Sequence, residues 1–194
     1  ASALAIQAIE AVAERLPGAS VDALVAAVQD ANETVYERST QDPSLSGMGT
    51  TVVAFTTVVE DGEERLAIVN VGDSRAYRLS AGELQQVTED HSLVGDLVRD
   101  GRISREEARN HPQKNIVTRA VGIDELVEVD DFQILPHVGD RYLLCSDGLT
   151  DEVDERDIAT VLRTVDDPDE AAAELVRRAN AHGGRDNITV LIVD

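Results

Sequence analysis

The stretch RYLLCSDGLTD, residues 141–151, joins an apolar strand pattern to an acidic turn. Arg141 to Cys145 is predicted to form a strand, and Asp147-Gly148 follows it closely. A buried strand is rigid, so it holds a carboxylate at its end with little loss of side-chain entropy. Glycine allows close backbone approach, which lets a hydrated ion come near. The stretch therefore predicts either a cation-binding strand end or an ordinary Asp-Gly turn.

The same pattern occurs twice more in the chain. Val71-Gly72-Asp73 ends one predicted strand, and Gly184-Arg185-Asp186-Asn187 precedes another that begins at Ile188. Mg²⁺ and Mn²⁺ prefer oxygen ligands and keep several waters, so a few carboxylates on separate strands can hold them. Turn chemistry explains each stretch taken singly. For the three together, metal binding and turn chemistry are equally good interpretations.

The rest of the chain predicts groups of helices and strands. Helical periodicity covers residues 1–16, stops at Pro17-Gly18 and resumes after an N-cap at Ser20. Later helices are predicted after Asp154 and from Asp167-Pro168 to Gly183-Gly184. β-Branched stretches predict strands at 50–59 and 66–71, joined by an Asp61-Gly62 hairpin, then at 75–79, 84–87, 127–135, 141–145 and 188–193. The strands at 75–79 and 84–87 are expected to continue the first meander.

This order of elements predicts the fold class. It favours an α+β architecture over a parallel α/β sheet, which would need strict alternation of strands and helices. We expect a layered α-β-β-α sandwich of antiparallel sheets flanked by helix pairs, in a single domain over residues 1–194. Residues from about 89 to 122 break into short helical pieces, with a capping box at Ser104 and Glu107. So long an excursion is typical of a functional flap insert.

Composition excludes several classes of protein. The chain has 194 residues, with 38 Asp and Glu against 17 Lys and Arg, and a formal net charge of −21. Such a field repels nucleic acid, whose binding depends on neutralising phosphates, and it disfavours anionic membranes. No apolar run approaches the roughly 18 residues of a membrane span. The one cysteine, Cys145, cannot form an internal disulfide, which predicts a reducing, cytoplasmic location.

Four motifs in register resemble those of the type 2C metal-dependent Ser/Thr protein phosphatases. They are Gly47-Met48-Gly49-Thr50-Thr51, Gly72-Asp73-Ser74-Arg75, Ser146-Asp147-Gly148-Leu149 with Asp151, and Gly184-Arg185-Asp186-Asn187. The bacterial form of the family also carries an insert like His111-Pro112-Gln113 leading to Arg119-Ala120. The resemblance covers essentially the whole chain. It implies hydrolysis of phosphoserine and phosphothreonine in proteins by a metal-activated water.

The resemblance also implies a set of metal ligands. Asp147 and Asp186 are expected to belong to a two-metal centre that holds Mn²⁺ or Mg²⁺. Asp73 is expected to bind a third, weaker ion together with Asp147 and Asp151. Two metals about 3.5–4 Å apart can lower the pKa of a water and aim it at phosphorus, so no phosphoenzyme nucleophile is needed.

Other residues are expected to support this site or face the substrate. The resemblance implies that Gly148 and Asn187 stand behind the ligands, although an Asn187 satisfied by its own turn is an equal alternative. It places His111 and Arg119 in the flap that contacts the phosphopeptide. The implied partners are phosphorylated proteins, with bacterial Ser/Thr kinases and their substrates among them.

One segment typical of the family is absent from these 194 residues. It contains an Arg-bearing strand and an Asp-Gly-x-Gly-Gly-His stretch, which supply a phosphate-binding Arg, the Asp that bridges both metals and a His proposed as general acid. The sandwich is expected to lack the corresponding N-terminal strands. His91, His111, His137 and His182 are interpreted as structural or surface residues, not replacements. The chain alone is therefore expected to be inactive or nearly so.

Two other functions stay open on this evidence. The first is a non-catalytic phosphatase-like binding or regulatory module with a residual cation site at Asp73 and Asp147. The absent segment favours it, and the retention of both residues together with Asp186 argues against it. The second is a phosphatase whose only substrate is an anti-sigma factor or its antagonist. Cys145 lacks a Cys-x5-Arg phosphate loop and is interpreted as a buried strand residue.

Overall fold

The computed structural model describes residues 1–13, 20–60 and 62–194. The predicted helix stop at Pro17-Gly18 and the first residue of the Asp61-Gly62 hairpin signal lie outside the described residues. The helices are α1 (Ser2–Ala13), α2 (Val21–Gln41), α3 (Leu93–Arg99), α4 (Arg105–Arg109), α5 (Asp147–Thr150), α6 (Glu155–Thr164) and α7 (Pro168–His182). The strands are β1 (Val52–Glu60), β2 (Glu63–Val71), β3 (Arg75–Ser80), β4 (Glu83–Gln86), β5 (Asp130–Ile134), β6 (Arg141–Cys145) and β7 (Val190–Val193).

The chain divides into two compact units. Unit 1 comprises Ala1–Asp73 and Asp90–Leu135, and unit 2 comprises Ser74–Glu89 and Pro136–Asp194. Each unit contains one antiparallel sheet, with strand order β1-β2-β5 in unit 1 and β4-β3-β6-β7 in unit 2. The predicted fold class, antiparallel sheets combined with helices, is therefore confirmed. The assignment of residues 1–194 to a single domain stays a prediction.

Unit 1 is built around the buried face of α2. The helix begins at its predicted N-cap, where the Ser20 hydroxyl accepts a hydrogen bond from the Ala23 N–H. Its buried residues recur at helical spacing and form one apolar cluster with residues of β1 and β2: Val21, Leu24, Val28, Ala31 and Val35 from the helix, and Val58, Ala67, Val69 and Val71 from the strands. Each fully buried Val or Leu contributes about 1.5–3 kcal/mol, so this face accounts for much of the stability of unit 1.

The insert predicted at residues 89–122 contains two short helices. Helix α4 has the predicted capping box, since Ser104 and Glu107 each accept a hydrogen bond from the other's backbone N–H. The far end of the insert is tied to α2 by Asn32, whose Oδ1 accepts from the Gly122 N–H at 2.7 Å. Gly122 has a φ of 89°, and a Cβ there would lie 2.2 Å from Val35 Cγ1. The end of the insert is thus fixed against the core of unit 1.

Unit 2 has strand β6 at its centre, and all five residues of that strand are buried. Helices α6 and α7 begin at the predicted caps Asp154 and Asp167, whose carboxylates accept backbone N–H groups of the first turn. Their apolar faces join the strands in one cluster that includes Tyr77, Leu143, Ile158, Leu162, Leu175 and Ile192. A helix pair therefore covers this sheet too.

The expectation that β3 and β4 continue the first meander is wrong. Strand β3 pairs with β4 and β6, and the third strand of the unit 1 sheet is β5, which pairs with β2. The chain leaves the first sheet after Val71, through Gly72 with its φ of 111°, and begins a second sheet at Arg75.

Within the described residues, no helix has the length and apolar character that a membrane span requires.

The β3–β4 hairpin offers a test of backbone strain. Its two loop residues have positive φ, 50° at Ala81 and 83° at Gly82, and alanine in that region costs about 1–2 kcal/mol. Asparagine tolerates this conformation, so we expect Ala81→Asn to raise the free energy of unfolding by about 1 kcal/mol. Ala173→Asn, the same change at an exposed position of α7, should lower it by about 0.7 kcal/mol. Urea unfolding of both variants measures the two changes in the free energy of unfolding. If both variants are less stable than the unmodified protein, Ala81 is not strained.

A second test concerns Asp140, whose side chain is only 3% exposed. Burial opposes its charge, but hydrogen bonds from Ser80, the His137 N–H and Arg78 outweigh burial and lower the pKa of Asp140 to about 2. Because this lies below the unfolded value of about 3.9, the ionised carboxylate stabilises the fold by roughly 2 kcal/mol above pH 4. That contribution should disappear as the pH falls from 4 to 2. Urea midpoints across this range should fall less steeply for Asp140→Asn than for the unmodified protein, and equal slopes would contradict the assignment.

Candidate metal centre

Two of the predicted ligands lie at one edge of the unit 2 sheet. Strand β6 ends at Cys145, and the partly buried Asp147 begins helix α5 two residues later. The exposed Asp186 lies in the loop between α7 and β7. Because Cys145 pairs with Val190 in antiparallel register, the segment that leaves β6 runs beside the segment that enters β7. The fold thus brings two carboxylates from distant parts of the sequence to the same edge.

Ser146 joins these two segments directly. Its N–H donates to the Thr189 carbonyl at 3.1 Å. Its hydroxyl donates to the Asn187 carbonyl and accepts from the Thr189 N–H, both at 3.0 Å. Three hydrogen bonds therefore fix the residue before Asp147 to the residues that follow Asp186. The sequence interpretation did not assign this role to Ser146, although the residue stands inside the Ser-Asp-Gly motif.

Gly148 and Asn187 each adjoin one of the two aspartates, and their backbones lie in close contact. A Cβ at position 148 would lie 2.4 Å from the Asn187 carbonyl oxygen, so only glycine permits this contact. The Asn187 N–H donates to Asp186 Oδ1 at 2.7 Å. The backbone of Asn187, through its N–H and its carbonyl, therefore contacts both the Asp186 carboxylate and Ser146. A role for the Asn187 side chain stays a prediction.

Glu152 holds the loop of Asp186 against the end of α5. Arg185 binds it through two hydrogen bonds, Nε to Oε1 at 2.8 Å and Nη2 to Oε2 at 3.3 Å. The Glu152 side chain is 3% exposed, and the hydrogen bond and charge of this carboxylate raise the pKa of Arg185. His182 Nδ1, at the end of α7, donates to the Glu152 carbonyl at 2.8 Å. The sequence does not predict this role for Glu152, because an acidic residue beside Asp151 carries no signal of burial.

Of the remaining predicted residues, Asp151 lies near Asp147, and the others belong to unit 1. Asp151 is exposed and follows α5, where its N–H donates to the Asp147 carbonyl. Asp73 is partly buried in unit 1, two positions before the first residue of β3. His111 Nδ1 accepts from the Gln113 N–H at 3.2 Å, within the insert. Arg119 binds acidic groups of its own unit, including Asp130 and Glu128.

The donor set can be tested against a divalent ion. Among residues 1–13, 20–60 and 62–194, no group of three or more His, Cys, Asp or Glu side chains is placed to hold a metal. Mg²⁺, however, is usually bound through one or two carboxylates and keeps several waters. Asp147 and Asp186 offer that kind of oxygen donor on neighbouring segments. Their donor chemistry suits a hydrated divalent ion, whereas the described side chains form no closed cage.

Comparison with known proteins identifies the family. Residues 1–186 match the family described as Protein phosphatase 2C. The chain belongs to the protein phosphatase 2C family. This protein phosphatase 2C chain is 45% identical over 167 residues to the serine/threonine phosphatase stp of Listeria monocytogenes serotype 4b (strain F2365). The match covers 86% of the chain and 65% of that relative, so the chain spans slightly less than two thirds of the relative's length.

Solved structures of the family share the fold. The serine/threonine phosphatase PstP/Ppp of Mycobacterium tuberculosis matches with a TM-score of 0.89 and 40% identity, over 98% of this chain and 79% of that one. The catalytic domain of PstP in complex with two manganese ions matches with a TM-score of 0.82 and 38% identity, over 100% of this chain and 80% of that one. The resemblance stated from the motifs is therefore confirmed at the level of family and fold.

The link through Ser146 gives a test of how the two segments are held. Ser146→Ala removes the hydroxyl and leaves the Asn187 carbonyl and the Thr189 N–H without it, so we expect a loss of about 1–2 kcal/mol in the free energy of unfolding. Ser44→Ala is the matched control, because the exposed Ser44 hydroxyl bonds only locally to Asp42. The free energy of unfolding of that variant should stay within about 0.5 kcal/mol of the value for the unmodified protein. Equal losses in urea unfolding would show that the link does not stabilise unit 2.

Proposed function

We propose that this protein hydrolyses phosphoserine and phosphothreonine in other proteins with Mn²⁺ or Mg²⁺. The observation that carries the proposal is the placement of Asp147 and Asp186 on adjacent segments at one sheet edge. It is supported by membership of the protein phosphatase 2C family and by the two manganese ions of the PstP catalytic domain. We propose two or three ions for the complete protein.

The residues of this chain would divide the work in three ways. Asp147 and Asp186 supply anionic oxygens, and Ser146 and Gly148 fix the distance between the segments that carry them. Asp73 binds a further, weaker ion. Divalent ions held by these carboxylates supply a water of lowered pKa and offset the negative charge of the phosphoryl group.

A covalent phosphoenzyme through cysteine is disfavoured. Cys145 is buried within β6, where it pairs with both Arg75 and Val190. A thiol nucleophile needs exposure and an electropositive setting that lowers its pKa. Because Cys145 is 2% exposed, its thiol has no access to a phosphate ester. The route that we propose instead is direct attack of a metal-activated water.

The partners follow from the proposed chemistry. The substrates would be phosphorylated proteins, and bacterial Ser/Thr kinases with their substrates would be the functional counterparts. The insert at residues 89–122, with His111 and Arg119, would contact the phosphoprotein, and the reaction would take place in the cytoplasm. These residues would then affect protein substrates more than small phosphate esters, whose recognition needs no flap.

A second candidate is a non-catalytic phosphatase-like binding or regulatory module. The observation that favours it is that the described side chains form no group of three metal ligands. We expect the isolated 194-residue chain to be inactive or nearly so, because these residues do not include the Asp that the resemblance assigns to bridging both metals. The two candidates differ in whether the full-length protein turns over substrate.

The decisive experiment uses the full-length protein with a phosphothreonine peptide and Mn²⁺. We expect turnover that a chelator abolishes, and a loss of several orders of magnitude in Asp147→Asn and Asp186→Asn, because each removes a ligand of the ions that activate water. Asp73→Asn should retain turnover but need a higher Mn²⁺ concentration. Asp169→Asn, at an exposed position of α7, is the control and should keep full activity.

Two outcomes would reject the proposal. Turnover that survives the chelator would exclude a metal-dependent reaction. Mn²⁺ binding without any turnover by the full-length protein would favour the non-catalytic module. Calorimetric titration with Mn²⁺ ranks the ligands, and loss of all binding in Asp73→Asn with none lost in Asp147→Asn would invert the assignment.

A further inference from the structure

His91 holds Gly72, the residue directly before Asp73, by both of its backbone groups. The Gly72 N–H donates to His91 Nδ1 at 3.0 Å. The His91 N–H donates to the Gly72 carbonyl, also at 3.0 Å. His91 is 3% exposed, so these bonds are shielded from water. A buried side chain far along the sequence therefore fixes the backbone at the end of β2.

The tautomer of His91 follows from these contacts. Because Nδ1 accepts a backbone N–H, it carries no proton, and the ring proton of the neutral form is on Nε2. Nε2 lies 3.0 Å from Asp130 Oδ2 and donates to it. Arg119 donates to the other carboxylate oxygen of Asp130 and also to the Glu128 carbonyl. Burial opposes the charge of Asp130, but the hydrogen bonds from His91 and Arg119 outweigh it and lower the pKa of Asp130.

Gly72 itself has little freedom to move. Its φ of 111° favours glycine, and a Cβ there would lie 2.3 Å from Thr51 Cγ2. Asn70 Nδ2 adds a further hydrogen bond to the Gly72 carbonyl at 3.1 Å. The His91 ring thus holds the N–H of the peptide before Gly72, and the plane of the next peptide, which leads into Asp73, is set at its carbonyl by the His91 N–H and Asn70. The direction in which the Asp73 side chain leaves the backbone depends on that plane.

The same network joins the two ends of the insert. His91 lies near its start and Arg119 near its end, and the Thr118 N–H donates to the His91 carbonyl at 2.8 Å. Ser92 and Val117 form an isolated antiparallel bridge beside this bond. Asp130, the first residue of β5, pairs with Asn70 of β2. Both ends of the insert therefore meet at the strand end that precedes Asp73.

We propose that His91, oriented by Asp130 and Arg119, is a positioning residue for Asp73. The network fixes the backbone of Gly72 and thereby the carboxylate that binds the weaker ion. This inference rests on the proposed function, because it assigns a purpose to the position of Asp73. It gives Arg119 a role within unit 1 that is separate from contact with a phosphopeptide.

The test compares Asp130→Asn with Asp131→Asn in the full-length protein. Both changes remove one carboxylate charge from β5, but Asp131 is exposed and lies on the neighbouring position, which points to the other face of the strand. Asp130→Asn should accelerate hydrogen exchange of the Gly72 amide and raise the Mn²⁺ concentration for half-maximal activity, each by about tenfold or more. The kcat at saturating Mn²⁺ should change little. Asp131→Asn should leave all three quantities as they are.

A double variant separates positioning from general destabilisation. If Asp130 acts through Asp73, then Asp130→Asn combined with Asp73→Asn should need no more Mn²⁺ than Asp73→Asn alone. If the double variant instead needs a higher Mn²⁺ concentration than Asp73→Asn, because the two effects multiply, the proposal is overturned. It is also overturned if Asp130→Asn behaves like Asp131→Asn. His91→Gln provides a second variant, which should accelerate exchange at Gly72 with the same pattern of Mn²⁺ dependence.

Failure of the proposed function gives a different result. If the unmodified protein shows neither Mn²⁺ binding nor turnover, the phosphatase proposal fails and so does the purpose assigned to Asp73. Exchange at Gly72 then still reports on the hydrogen-bonded network by itself. If the unmodified protein is an active Mn²⁺-dependent phosphatase and exchange at Gly72 is unchanged in Asp130→Asn, the positioning role alone is wrong.

Discussion

Antiparallel pairing of β6 with its two neighbours is the constraint on which the candidate centre depends. Cys145 pairs with Arg75 on one side and with Val190 on the other, so three strand ends lie in one row. A slip of one residue would exchange the two faces of β6, whose side chains are all buried. The apolar cluster that contains Leu143 and Cys145 therefore fixes the register, and the register places Asp147 beside the segment of Asp186. The position of the site is in this sense a result of hydrophobic packing.

Local contacts refine what the register sets. Ser146 bonds the two segments at 3.0 Å, and the salt bridge of Arg185 with Glu152 closes the loop from the other side. These contacts oppose an electrostatic cost, because two carboxylates at one edge repel each other in a chain with a formal net charge of −21. A divalent ion would relieve that repulsion. The protein thus holds the donors with neutral hydrogen bonds and one buried acidic anchor, and leaves the charge of Asp186 exposed.

The sequence predicts those parts of the structure whose causes are local. Ser20, Asp154 and Asp167 cap helices as expected, because a capping side chain bonds a backbone group three residues away. Strand β6 has the predicted bounds. The partner of β3 was predicted wrongly, since a strand pattern states which residues are buried but not which strand they meet. The sequence does not mark Glu152, and it predicts His91 only as a structural or surface residue, because the contacts of both join positions far apart in the sequence.

Gly72 and Gly148 are needed in their motifs for a different physical reason from the one that the sequence suggests. From the sequence alone, glycine beside aspartate is expected to leave room for a hydrated ion. At Gly148 that room is filled by the Asn187 carbonyl, and at Gly72 by the Thr51 side chain, each within 2.4 Å of where a Cβ would be. The missing side chain therefore serves protein packing rather than ion access. Because each glycine adjoins an aspartate, close packing at the glycine fixes the backbone position from which the carboxylate extends. Glycine in these motifs acts as a positional constraint on the ligand that stands next to it.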